Sequence, residues 1–397
     1  MKIILLIGSV EEGFTYNSTL ELSKRSELYV FHSTKIKEKF LIKGVSYHFF
    51  KSSRSSNINI LSFDFLKQTL LDFLRSRTIS YFKMFRYNFN LFKSIYLKSE
   101  FLLSELSFLD VKKNDVKFVS FWMDDNSTLL SLLKKRKKIT KAFSLAHGRD
   151  LFEWREPRFG ILPFKRFQMK YLDKVFSVSV NGANYLKKRY PKFKEKVDVF
   201  YLGSHDFGIS YNSSDVFTII SCSDIKPIKR VHLIADALSL CYETIKWFHI
   251  GDLNYSSDEL ALLKVNEAIK KLKKNKNVNF KLLGSIDNKS FMDIYKTQSI
   301  DLFINVSTTE GLPFSMIEAS SFGVPIISTN AGGCSEIVDD YGVILPINLT
   351  PTLLADEIQS FMFSSKNNLK NKKKVRDNWD LKFNIEKNFN KLITIID

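Results

Sequence analysis

Cysteine is scarce in this chain of 397 residues. Three occur, Cys222, Cys241 and Cys334, far apart and never as C-x-x-C. That argues against a disulfide framework and against a zinc site, and it predicts the reduced thiols of a cytosolic protein. Long apolar runs are missing as well. No stretch approaches the roughly 18 apolar residues that cross a bilayer. The apolar start, Ile3 to Ile7, is too short for a signal peptide and reads as a first strand. Metal-binding patterns are missing: Asp124 and Asp125 stand in FWMDDN, which is not D-x-D, and histidines and cysteines do not cluster. No metal is expected. Nothing resembles a nucleic-acid-binding motif.

Negative charge is short in one half only. Residues 1–200 hold 38 Lys+Arg against 19 Asp+Glu, whereas residues 201–397 hold 22 against 23, so the first half carries +19 and the second −1 of the net +18. A basic half predicts a negatively charged partner. With no nucleic-acid motif, the expected partner is an anionic membrane surface touched from the side. The segment Phe63 to Leu109 is nearly free of Gly and Pro and interleaves aromatic, leucine and lysine residues. It reads as one or two helices, either lying in a membrane interface or forming a core pair of an α/β domain. The run Lys134 to Lys138, KKRKK, is a helix end that is either solvated or part of the same basic surface.

Apolar strands alternate with helical segments in both halves, which predicts two α/β domains with parallel sheets. Strands are expected at Lys2–Ile7, Leu28–His32, Val45–Phe50, Phe118–Phe121, Ala142–Ala146, Val175–Val178 and Val197–Tyr201. A second set is expected at Phe217–Ser221, Lys246–Ile250, Val278–Leu283, Leu302–Asn305, Pro325–Ser328 and Val343–Leu345. Gly, Ser, Asn and Asp cluster from Gly203 to Asp215, a linker signal.

Glu310 to Pro325 reads EGLPFSMIEASSFGVP. Pro313 suits the first position of a helix, Gly323 its stop, and Pro325 prevents continuation. The first turn of such a helix, near Phe314 and Ser315, attracts an anion such as phosphate. Glu310 stands in the loop before that turn and Glu318 well into the helix. Two carboxylates on either side of an anion site fit the hydroxyls at both ends of a sugar–diphosphate–ribose ligand. The flanking apolar segments Leu302–Asn305 and VPIIST make this a parallel βαβ unit, which binds ligands at the C-terminal ends of its strands. Lys229 and Arg230 precede another helix and supply cations for a diphosphate. His147 follows an apolar strand, again at a C-terminal end. The remaining histidines, His32, His48, His205, His232 and His249, read as structural.

EGLPFSMIEASSFGVPIISTNAGGCSEIV resembles the glutamate-x7-glutamate signature of retaining glycosyltransferases of the GT-B fold, in the large family numbered four. SCSDIKPIKRVHLIADAL resembles that family's phosphate loop, and WFHIGD and VNFKLLGSIDN resemble two further segments. AFSLAHGRDLFEWREPR and VFSVSVNGANYLKKRYP resemble its polysaccharide-assembly branch. The resemblance covers residues 140–345. It departs at Asp224, where an arginine is usual, with Lys226 and Arg230 as substitutes, and at Gly8-Ser9, where a glycine pair is usual.

The resemblance implies two facing Rossmann-like domains with a deep interdomain cleft. An acceptor-binding, membrane-facing domain would span 1–203 plus 380–397, and a donor-binding domain 204–379. It implies a hexosyltransferase that uses a nucleoside diphosphate sugar, a UDP-sugar rather than a GDP-sugar, with no cofactor and no metal. The acceptor would be a lipid-linked glycan of surface polysaccharide biosynthesis (O-antigen, capsule or exopolysaccharide). The protein would be cytoplasmic, peripheral on the inner face of the plasma membrane, and would bind no nucleic acid. Glu310, His147 and Lys229 would be catalytic. Arg230, Glu318, Gly311, Leu312, Pro313, Phe314, Ser315, Gly251 and Ile286 would bind the donor. A sugar-nucleotide epimerase or phosphorylase on the same fold, or a non-catalytic membrane-associated subunit, are the alternatives.

Overall fold

The computed structural model describes residues 1–11, 13–50, 63–76, 80–109, 115–156, 158–209, 215–252, 258–338, 340–364 and 369–397. The chain divides into two compact units, Met1–Tyr201 with Phe389–Asp397, and Leu202–Asn388. Residues 210–214 of the expected linker lie outside the described residues.

The first unit is built on seven parallel strands: β1 (Lys2–Ile7), β2 (Glu27–His32), β3 (Ser46–Phe49), β4 (Val116–Ser120), β5 (Lys141–Ala146), β6 (Lys174–Ser177) and β7 (Val197–Val199). Their order is β3-β2-β1-β4-β5-β6-β7. Central strands of such a sheet are covered on both faces, so they read as unbroken apolar runs. Ile3 to Ile7 of β1 are all 0% exposed. The Phe63 to Leu109 segment forms two helices, Phe63–Arg75 and Tyr81–Phe108. Phe92, Ile95, Leu102 and Leu106 of the longer one enter the core, which favours the core-pair reading for that helix. The end of the terminal helix, Ile385–Ile396, joins this unit. Phe389 stacks edge-on against Phe200 at 5.2 Å, and Lys117 Nζ donates to the Asp397 carbonyl at 2.6 Å.

The second unit repeats the plan with six parallel strands: β8 (Phe217–Cys222), β9 (Ile245–Ile250), β10 (Val278–Leu282), β11 (Leu302–Asn305), β12 (Ile326–Thr329) and β13 (Val343–Leu345). Their order is β10-β9-β8-β11-β12-β13. Each sheet therefore reverses direction beside its first strand, between β1 and β4 and between β8 and β11. Ligands of doubly wound sheets bind at such switch points, outside the strands' C-terminal ends. Element positions match the expected ones within a few residues. The expected strand Val197–Tyr201 is shorter, ending at Val199.

The KKRKK run is not a free basic patch. Lys134 bonds Asp173, Arg136 pairs with Glu100 at 2.5 Å, and Lys137 adopts φ 55° in the turn. Lys137 and Lys138 are its exposed members. Helix termination and two ion pairs explain this run, so the basic-surface reading keeps only those last two residues.

Candidate active site

The second unit's switch point gathers most of the expected residues. Helix Phe314–Ser321 follows β11 and is fixed at both ends. Pro313 is its N-cap rather than its first helical residue. Its backbone is extended at ψ 114°, and its carbonyl accepts from the N–H of Met316 at 3.2 Å. At the other end Gly323 adopts φ 76°. The Gly323 N–H donates to Ser320 O at 2.9 Å and the Val324 N–H to Ala319 O at 3.1 Å, a Schellman ending. A Cβ at Gly323 would meet the Lys372 carbonyl at 2.4 Å, so both conformation and space demand glycine there.

Lys229 and Glu310, far apart in sequence, meet here: Lys229 Nζ donates to Glu310 Oε1 at 2.6 Å, and the Glu310 side chain is only 10% exposed. Their loops are tied by Thr308, whose N–H donates to Ile228 O at 2.8 Å. Gly332 sets the position of Glu310 from the far side. It adopts φ 58°, and a Cβ on it would lie 2.1 Å from the Glu310 carbonyl oxygen. The neighbouring Gly333 N–H donates to Gly311 O at 2.9 Å. Gly332→Ala is therefore expected to cost about 1–3 kcal/mol of stability, measured by denaturant unfolding. Gly8→Ala, with nothing within 4 Å of the new methyl, should leave stability nearly unchanged.

Arg230 does not join Lys229. It adopts φ 50°, its Nε donates to Val306 O at 2.8 Å and its Nη1 to Ile347 O at 2.7 Å. Backbone carbonyls hold this guanidinium, so it braces the loop after β11 instead of presenting a cation beside Lys229. Asp224, at the position where arginine is usual, pairs with Lys226 at 2.6 Å on the surface. Lys229 is thus the cation that the loop before helix Val231–Leu238 places beside Glu310.

Glu318 is buried, and burial pushes its carboxyl up to about 8. Gly311, Leu312, Phe314 and Ser315 are half-buried around the helix start, and Ser315 Oγ donates to Cys222 O at 3.4 Å. Gly251 follows β9 with φ 153°, where a Cβ would overlap the Ser223 carbonyl at 1.9 Å. It pairs with Gly284, two residues before Ile286. The three cysteines are free thiols, and burial pushes Cys222 and Cys334 up to about 12.

Sequence reasoning missed Tyr295. It is fully buried in helix Asn288–Thr297 and stacks on Phe322 at 4.8 Å. Among the described residues its hydroxyl has no hydrogen-bond partner, and burial raises its pKa well above the ordinary value. One aromatic residue in an amphipathic helix gives no signal that could have marked it.

His147 lies in the first unit at the end of β5. It is buried, its Nε2 meets Phe121 O at 2.9 Å, and its ring sits 4.1 Å from that of Trp122. Burial lowers its pKa, so the imidazole is neutral near pH 7. Two of the other histidines have partners of their own: His249 bonds Ser221 Oγ at 2.9 Å and His48 bonds Glu105 at 2.9 Å.

Residues 206–378, all within the second unit, match the family model described as Glycosyl transferases group 1. The O-antigen biosynthesis glycosyltransferase WbnH of Escherichia coli is 32% identical over 83 residues, 20% of this chain and 22% of that protein. Protein CapJ of Staphylococcus aureus is 35% identical over 115 residues, 28% of each chain. The chain thus matches 22% to 28% of the length of these curated relatives. The structure of Anabaena Alr3699/HepE in complex with UDP and glucose superposes with a TM-score of 0.68 at 15% identity, covering 100% of this chain and 99% of that one. The fold is GT-B, with two Rossmann-like domains.

Proposed function

We propose that this chain is a retaining hexosyltransferase that uses a UDP-sugar and extends a lipid-linked oligosaccharide in surface polysaccharide assembly. The half-buried Lys229–Glu310 pair at the mouth of helix Phe314–Ser321, with Glu318 inside that helix, carries the reading. The group 1 domain, the O-antigen name of WbnH and the UDP held by HepE support it.

In this reading Lys229 and the N–H groups of Phe314 and Ser315 receive the diphosphate. Gly311, Leu312 and Pro313 shape the approach, and Gly251 and Ile286 complete the donor contacts. Glu310 orients the sugar and Glu318 the ribose. The C1–O bond to the diphosphate breaks. The acceptor oxygen bonds C1 on the same face, and its proton passes to the departing phosphate oxygen. Lysine and helix N–H groups stabilise the developing charge, so no metal is required. His147, held neutral, serves as a hydrogen-bonding group rather than an acid.

A thermal-shift panel of UDP- and GDP-sugars tests the donor. A ligand at a hundred times its Kd adds about 2.7 kcal/mol of stability. Stabilisation by GDP-sugars alone would overturn the UDP assignment. Transfer that vanishes in excess chelator and returns with manganese would overturn the metal-free route.

We also propose peripheral attachment to an anionic membrane. No helix among the described residues is long and apolar enough to cross a membrane. Helix Phe63–Arg75 exposes Leu66, Leu70 and Leu74 at 40%, 48% and 69%, one stripe at four-residue spacing, on the unit that carries the excess positive charge. Phe82 at the start of the next helix is 84% exposed. Each basic residue near an anionic surface contributes about 1 kcal/mol, screened by salt. The protein is expected to sediment with anionic liposomes, less with neutral ones and less in high salt. Replacing Leu66, Leu70 and Leu74 by Ser should weaken that binding at least severalfold. Equal sedimentation of the variant would sink the attachment surface.

A further inference from the structure

The first sheet has its own switch point, and a cavity of about 550 Å³ opens there, within the size range of small-molecule sites. Gly8 from the end of β1 and Trp122 from the end of β4 both line it. Its wall holds charges of both signs, and three of its four acids are already engaged. Asp150 accepts the N–H of His147 at 2.6 Å and that of Met123. Asp125 pairs with Lys98 at 2.9 Å, and Glu156 Oε1 accepts the N–H of Arg158 at 3.0 Å.

The arginines of the wall are not engaged. Arg149 and Arg155 line the cavity and make no ion pair or side-chain hydrogen bond among the described residues. Lys165, 3% exposed, donates to the Met123 carbonyl at the same wall. Asp124 uses Oδ1 to cap its own helix through the N–H of Asn126 at 2.9 Å. Its second oxygen has no partner among the described residues. The wall therefore offers two uncommitted guanidinium groups, one carboxyl oxygen, and two aromatic side chains, Trp122 and Tyr87.

We propose that this cavity binds a saccharide bearing an anionic group, with the anion on Arg149 and Arg155, a sugar hydroxyl on Asp124, and the ring against Trp122 and Tyr87. Guanidinium forks match phosphate and carboxylate oxygens two at a time. An aromatic face covers the apolar C–H side of a sugar ring. The anion is a phosphate ester or a uronate carboxylate, which share this chemistry. This site deepens the transfer reading, on which its description as the acceptor site rests: the acceptor would be recognised through a sugar and its attached negative charge.

The test titrates the full chain with glucose 1-phosphate, glucuronate, methyl glucoside and inorganic phosphate, by calorimetry and tryptophan fluorescence. One of the two anionic sugars should bind about tenfold or more tighter than methyl glucoside and than inorganic phosphate. The tighter of the two names the source of the charge. The double variant R149Q/R155Q should lose about tenfold or more of that affinity, both residues being at least partly exposed and their replacement leaving the fold intact. D124N should weaken it too, while asparagine keeps the helix cap. UDP affinity should be unchanged in both variants. Equal binding of neutral and anionic sugars, wild-type affinity in R149Q/R155Q, or no binding of any probe up to about 10 mM (a free energy under about 3 kcal/mol) would overturn the proposal. Absent UDP binding beside intact sugar-phosphate binding would instead sink the transfer reading and leave this site standing.

Discussion

Lys229→Met is expected to slow transfer by about 10²–10³-fold, the loss seen when one preorganised donor to a developing oxyanion is removed. Methionine keeps most of the lysine stem, so the loop before helix Val231–Leu238 should hold its shape, with Thr308 still bonded to the Ile228 carbonyl. The measurement is kcat with a saturating UDP-sugar. Glu310→Gln should also lower kcat, through the sugar it orients. The two side chains touch at 2.6 Å, so their effects should couple. The double variant should be less impaired than the product of the two single losses. Wild-type kcat in Lys229→Met would remove this residue from the reaction, whatever its effect on donor affinity.

Glu318→Gln is expected to weaken UDP binding by about ten- to a hundredfold, because each charge-assisted hydrogen bond to a ribose hydroxyl contributes about 1.5–3 kcal/mol. The pH dependence is more diagnostic. Burial raises this carboxyl to about 8, so the nucleotide-free protein holds it protonated at neutral pH. The ribose hydroxyls are best accepted by the ionised form. Binding should release a proton, and affinity should rise with pH up to about 8 and then level, with a slope approaching tenfold per unit below it.

The free protein responds with the opposite sign. Between the ordinary value of 4.5 and about 8 the folded chain keeps a proton that the unfolded chain has released. This group therefore withdraws stability as pH rises through that window. Calorimetry in two buffers of different ionisation heat would count the released proton. Glu318→Gln should abolish both the proton release and the pH slope, and a slope that survives in the variant would move the titration to another group.

Much of this was legible in the chain because it depends on neighbours in sequence. Apolar runs such as KIILLI and LFIN become central strands because a parallel sheet covered on both faces needs no polar alternation. Pro313 and Gly323 bracket helix Phe314–Ser321 because backbone torsions and missing N–H groups act within one turn; only the exact role of Pro313, N-cap rather than first helical residue, differed. Glu310 and Glu318 are separated by such local structure, and their spacing could be read directly.

What the tertiary structure decided are the pairings across long sequence separations. Lys229 and Arg230 look alike in the chain, yet one reaches Glu310 and the other is held by the carbonyls of Val306 and Ile347. The fold separates them because Arg230 takes a left-handed backbone conformation, which turns its side chain onto the loop after β11. KKRKK looked like a surface patch until Asp173 and Glu100 were brought against it. The cavity beside Trp122 has no sequence signature, because β1, β4 and β5 deliver its walls from distant segments. Composition and local pattern determine which elements form. Which charges remain free to meet a ligand is settled only when packing gives every other charge its partner.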